Sequence, residues 1–88
     1  MTHHIKLHKN YADPVLDGTK PFEIRFNDRG YQTGDRVVFR CVDDMGCTVP
    51  HPLDREAFQI TYIVHGYGLK ENWCVFGIKK IAQKEADG

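Results

Sequence analysis

The chain is 88 residues long, enough for one domain that buries roughly 60–65% of the surface its unfolded form exposes. A hydrophobic fraction of 41%, with five Phe, four Tyr and one Trp, supplies a modest core and excludes a disordered body. Twelve basic against twelve acidic residues give zero formal charge, which excludes coating nucleic acid through bulk charge but leaves room for a local anion-binding cleft.

The elements follow in chain order. "HIKLH" alternates, with Ile5 and Leu7 on one side and His4, Lys6 and His8 on the other, and predicts a short half-buried strand. "NYADPVLDG" predicts a short helix with Asn10 as N-cap and Asp13 three residues later. Pro14 is accommodated there if it falls in the first turn, where backbone N–H groups lack intrahelical partners. Ala12, Val15 and Leu16 form the buried stripe, and Gly18 supplies a left-handed stop. "PFEIRF" alternates again: Phe22, Ile24 and Phe26 are expected to face the core, with Glu23 and Arg25 on the wet face. Asn27-Asp28-Arg29-Gly30 and Thr33-Gly34-Asp35 are turn chemistry.

"RVVFRCV" is a strand rich enough in Val and Phe to be central. "DDMGCTVPHPLDRE" is the one long loop; "FQITYIVH" and "WCVFGIKKI" are strands joined by the glycine-containing "GYGLKEN". Residues 1–82 are expected to form a single domain, with 83–88 as a flexible tail. Strand, helix and four further strands give an α+β, mainly β class. Their most economical packing is a small, partly open barrel closed on one side by the helix, although an open sheet has the same strand pattern.

Charge is unevenly placed. Residues 1–40 carry seven Lys/Arg against five Asp/Glu, together with His3, His4 and His8. Lys20 precedes a proline, which restricts its backbone to extended conformations. It reads as a rim contact for phosphate or, if desolvated, as a base, against the plain alternative of an exposed loop lysine. Glu23 and Arg25, two apart on one strand face, read either as a surface ion pair worth ~0–1 kcal/mol or as a site in which Arg25 offers its planar fork to an anion. Arg29 would extend that positive rim. Tyr67 and Lys70, in a loop with two glycines, are further candidates for stacking a base and holding its phosphate.

Cys41, Cys47 and Cys74 form no CxxC pair, and the spacing of Cys41, Cys47 and His51 is not that of a structural zinc site, even with His65 or Cys74 as a fourth ligand. No metal and no cofactor is expected. There is no serine in the chain, so a serine nucleophile is excluded. Free thiols, the absence of an apolar leader, and no run near the roughly 18 apolar residues of a membrane span point to the cytoplasm.

"GTKPFEIR" matches GxKxxExR and resembles the signature of ASCH domains, a branch of the PUA-like superfamily. "KPFEIRFNDRGYQTGD" followed by "ITYIVHGYGLKENWCVFGI" is similar to a small uncharacterised ASCH-like family of bacteria and their phages, over roughly residues 4 to 81. The resemblance implies a five- to six-stranded pseudo-barrel with one short helix after the first strand and a cleft beside it lined by the motif. It implies an RNA- or nucleotide-binding module; the zero net charge adds the expectation of a specific short or modified element, and a monomer is expected. Lys20, Glu23, Arg25, Arg29, Tyr67 and Lys70 are its candidate contacts. The alternatives are a hydrolase on RNA or a modified nucleoside, with Lys20 and Glu23 as acid and base, and an accessory domain working through protein contacts. In the amidohydrolases of the group a Thr nucleophile follows the motif Lys by three residues; here that place holds Glu23.

Overall fold

Alternating apolar residues build the sheet. β1 (Thr2–His8) buries His3, Ile5 and Leu7 and exposes the residues between them. β3 (Arg36–Val42) buries Val37, Phe39 and Cys41, β4 (Ala57–His65) buries Phe58 and Ile60, and β5 (Trp73–Ile81) buries Cys74, Phe76 and Ile78. β2 (Phe22–Phe26) completes a five-stranded sheet in the order β1-β3-β4-β5-β2. β1 runs parallel to β3 and every other pair is antiparallel. These strands curl into a half-barrel with one short helix after β1, a mainly β, α+β pseudo-barrel. The computed structural model describes residues 1–81; the tail expected at 83–88 lies outside the described residues. Among these no helix is long and apolar enough to cross a membrane.

The curl has a local cause. The β4–β5 register shifts between Ile60 and Tyr62, and a bulge of this kind increases twist and bends its strand. Gly77 lies opposite; a Cβ there would sit 2.5 Å from the Thr61 hydroxyl.

Helix α1 (Lys9–Asp17) corrects two expectations. Its N-cap is His8, whose Nδ1 accepts the Asn10 N–H at 3.1 Å, so Asn10 lies inside the helix. Pro14 consequently falls in the interior and not in the first turn. Ala12 and Val15 are buried as expected, with Leu16 packed against the core, and Gly18 ends the helix in the left-handed region at φ 89°.

The long loop also holds more order than its composition predicts. Pro52–Arg55 form a short 3-10 helix capped by His51, whose Nδ1 accepts the Leu53 N–H at 3.0 Å. The opposite nitrogen of His51 meets Asp13 of α1 at 2.8 Å, and Leu53 is fully buried.

The start of β1 is fastened to the turn before β3 by Asp35, which meets His3 Nε2 at 2.8 Å and accepts the Gln32 N–H at 3.1 Å. The His3 hydrogen bond is the chief reason that the Asp35 carboxyl titrates below its ordinary 3.8. A carboxyl with a depressed folded pKa contributes stability that is fully present above its unfolded value and is lost as pH falls through the folded one. Thermal melts of wild type and Asp35→Asn should therefore differ most above about pH 5 and converge as the pH is taken towards about 2.

Candidate functional site

The sheet order leaves β1 and β2 at opposite edges, and among the described residues they do not pair. The barrel therefore has a seam. α1 carries the chain from one edge to the other. After Gly18, the Lys20 N–H bonds back to the Pro14 carbonyl at 3.0 Å, and Lys20 is delivered to the entrance of β2. A cleft of about 650 Å³ opens along the seam, with Lys6, Lys20, Glu23, Arg25, Arg29 and Tyr31 among its lining residues.

Glu23 is its centre. It is 2% exposed, and a carboxylate at that depth is costly unless charge and hydrogen bonds compensate it. Lys20 Nζ meets Oε1 in a close ion pair, and Arg25 Nε donates to Oε2 at 2.8 Å. Lys20 Nζ also donates to the Phe22 carbonyl at 3.1 Å and lies over the rings of Tyr11 and Phe22, at 5.4 and 5.1 Å from their centroids. Arg25 then reaches across the seam, Nη2 donating to the Lys6 carbonyl at 2.7 Å. Arg29 repeats the crossing one step along, Nη1 donating to the His4 carbonyl at 3.1 Å. The edge carbonyls of β1 are thus taken up by guanidinium groups from the β2 side, where a ladder would otherwise stand.

The arrangement corrects the expected orientation of β2. Phe22, Ile24 and Phe26 are 39%, 50% and 47% exposed, whereas Glu23 points inward. A period of two fixes which residues share a face, not which face is inside. β2 borders the cleft, so its inner side chains are the charged ones and its apolar ones lie outside.

Four cations (Lys6, Lys20, Arg25, Arg29) line the cleft against two carboxylates (Glu23, Asp28), so a neutral chain concentrates positive charge here. Among the described residues no partner takes Nη1 of Arg25 or Nη2 of Arg29. Each fork therefore keeps donors for a ligand. Tyr31 is packed between His3 and Phe76, at centroid distances of 4.7 and 4.8 Å. Burial raises the pKa of its phenol, against an opposing pull from Arg25 and Arg29, so Tyr31 presents a neutral hydroxyl.

Lys20, Glu23, Arg25 and Arg29 are thus brought together. Tyr67 and Lys70 are not among the lining residues; Tyr67 is 95% exposed at the tip of the β4–β5 turn. Sequence reasoning missed Tyr11, Phe26 and Trp73, which do line the cleft. Tyr11 flanks the buried helical stripe, four residues before Val15, and is 53% exposed. Phe26 and Trp73 were hidden by their resemblance to core residues.

The thiols lie elsewhere. Cys41 and Cys74 are buried in the core, and burial pushes the Cys41 thiol up to about 11 and raises that of Cys74, which makes both poor nucleophiles. Cys47 is exposed. Among the described residues no three His, Cys, Asp or Glu side chains converge as a metal set.

Comparison with known proteins adds three findings. A family model described as a domain of unknown function, DUF3850, matches residues 2–78. An uncharacterized 12.9 kDa protein in the GpA 3′ region of Escherichia phage P2 is 47% identical over 36 residues, which are 41% of this chain and 33% of that protein. The match thus spans a third of the phage protein's length. The crystal structure of hypothetical protein PH0355 superposes with a TM-score of 0.61 at 14% identity, covering 92% of this chain and 100% of that one. At that identity the likeness is one of fold.

Proposed function

We propose that this chain, which belongs to the DUF3850 family, binds a nucleotide or a short single-stranded RNA element in the seam cleft, as an ASCH-like, PUA-like module would. The observation that carries this reading is the pair of guanidinium groups, Arg25 and Arg29, each held by one bond to β1 and each with donors left over the same cleft. A fork fixed in this way suits phosphate or the edge of a base. Tyr11 supplies aromatic surface beside it, and Tyr31 a neutral hydroxyl. Phosphate contacts would give affinity, and ring contacts with edge hydrogen bonds would give selectivity.

Binding is favoured over acid–base catalysis by the state of Glu23. Both of its oxygens already accept from cations and it is 2% exposed, so Glu23 acts to position Lys20 and Arg25 instead of meeting a substrate.

The test is fluorescence anisotropy with a panel of short single-stranded RNAs, alongside calorimetry with nucleotides. Arg25→Ala should weaken binding about 10- to 100-fold, the worth of a charge-assisted hydrogen bond or two. Few phosphates fit so small a cleft, so log K should fall with log salt at a slope of only about −1. Absence of binding to every RNA and nucleotide, or binding indifferent to Arg25→Ala, would end this reading. Turnover that disappears in Lys20→Ala would replace it with the hydrolase.

A further inference from the structure

The cleft does not stop at the inner face of β2. Ile24, Phe26 and Trp73, whose side chains belong to the outer face, line the same opening as Glu23 and Arg25. The cleft therefore wraps around the free edge of β2. Phe26 and Trp73 are register partners on β2 and β5, with ring centroids 6.1 Å apart and planes at 75°. In an edge-to-face pair the ring that offers its edge keeps its faces free of the partner. Both rings are accessible, Phe26 at 47% and Trp73 at 36% exposure. Aromatics this open on a sheet contribute little to the core, and an exposed apolar patch next to a polar site marks a place of contact. Arg29 lies three residues after Phe26 and lines the same cleft.

We infer that Phe26 and Trp73 form a second subsite, a stacking platform for the base adjacent to the one held in the seam, with the phosphate between the two bases held at Arg29. The inference rests on the nucleotide reading of the seam and goes beyond it. The ligand class becomes a single strand of at least two nucleotides and not an isolated nucleoside or nucleotide. Its single-strandedness follows from the geometry, since stacking on an aromatic ring needs a base face that a duplex keeps covered. Continuity with the cationic cleft is what selects a nucleic-acid base over an apolar peptide side chain as the occupant.

Trp73 is the one tryptophan of the chain, so its emission reports directly on the platform. Titration with ribonucleoside monophosphates should leave the emission nearly unchanged, whereas di- and tetranucleotides should quench it and bind about tenfold or more tightly than the monophosphates. In Phe26→Ala/Trp73→Leu, followed by anisotropy of a labelled tetranucleotide, affinity should drop to the monophosphate level. Monophosphate affinity, measured by calorimetry, should stay as in wild type and shows that the variant is folded. Oligonucleotides that bind no better than monophosphates, or that bind without quenching Trp73, would overturn the platform and leave the seam reading intact. Wild-type protein that binds neither class would overturn both. Concentration-dependent dimerisation in sedimentation, accompanied by a blue shift of Trp73, would assign the platform to a second copy of the chain and overturn the inference as well.

Discussion

Glu23→Ala should destabilise the domain by about 3 kcal/mol, the lower end of what removing one partner from a buried ion pair costs. Lys20 and Arg25 are each about a fifth to a quarter exposed, so water recovers part of their solvation and the upper end is not reached. They nevertheless lose their shared counter-charge at the same time. A domain of this size has roughly 5–15 kcal/mol to lose, and its melting temperature should fall by about 12–24 °C. Glu23→Gln keeps the shape and some hydrogen bonds and should cost less. The measurement is a set of denaturant and thermal melts that includes the triple variant Lys20→Met/Glu23→Leu/Arg25→Met. The triple should recover most of the loss, because it leaves no charge behind. A loss below about 1 kcal/mol in Glu23→Ala would place the carboxylate among ordinary surface pairs.

Leu53→Ala should cost about 3 kcal/mol, within the range for truncating a fully buried leucine. Its neighbours in sequence have the composition of a surface loop, where such a change is nearly neutral. Leu53 is instead fully buried in the core beneath the 3-10 helix, while the His51 ring bridges that helix to Asp13 of α1. Urea unfolding of Leu53→Ala beside Met45→Ala, an exposed position in the same loop, separates the two cases. Equal midpoints would mean that the loop is not anchored.

These two positions show what was legible in the sequence. Alternation located β1 and β2, since an apolar residue at every second place has one inexpensive home, and runs rich in β-branched and aromatic residues located β3, β4 and β5. The conformational demand at Gly18 located the end of α1. The inner face of β2 was not legible. Its five residues satisfy either orientation locally, and only the absence of a β1–β2 ladder decides that the charged face looks inward. The same long-range fact hid Phe26 and Trp73, which have core composition without a core position. Two caps escaped because imidazole is an uncommon cap. His8 and His51 each accept a backbone N–H at Nδ1 while the far nitrogen meets an aspartate. That tautomeric arrangement depends on Asp44 and Asp13, which lie far away in sequence. Among the candidate residues, the resemblance to GxKxxExR marked Lys20, Glu23 and Arg25 as a unit, but their mutual geometry came from the fold.

The seam also bears on how such a domain diversifies. A backbone ladder holds neighbouring strands about 4.8 Å apart whatever their side chains are. Here the Lys6 and His4 carbonyls are tied to the opposite wall by the tethers of Arg25 and Arg29, so the aperture is set by side-chain length. A change at Arg29 adjusts it without disturbing a core residue, whereas a change at Arg25 also unpairs the buried Glu23, so the two tethers are not equally free to vary while the barrel is kept.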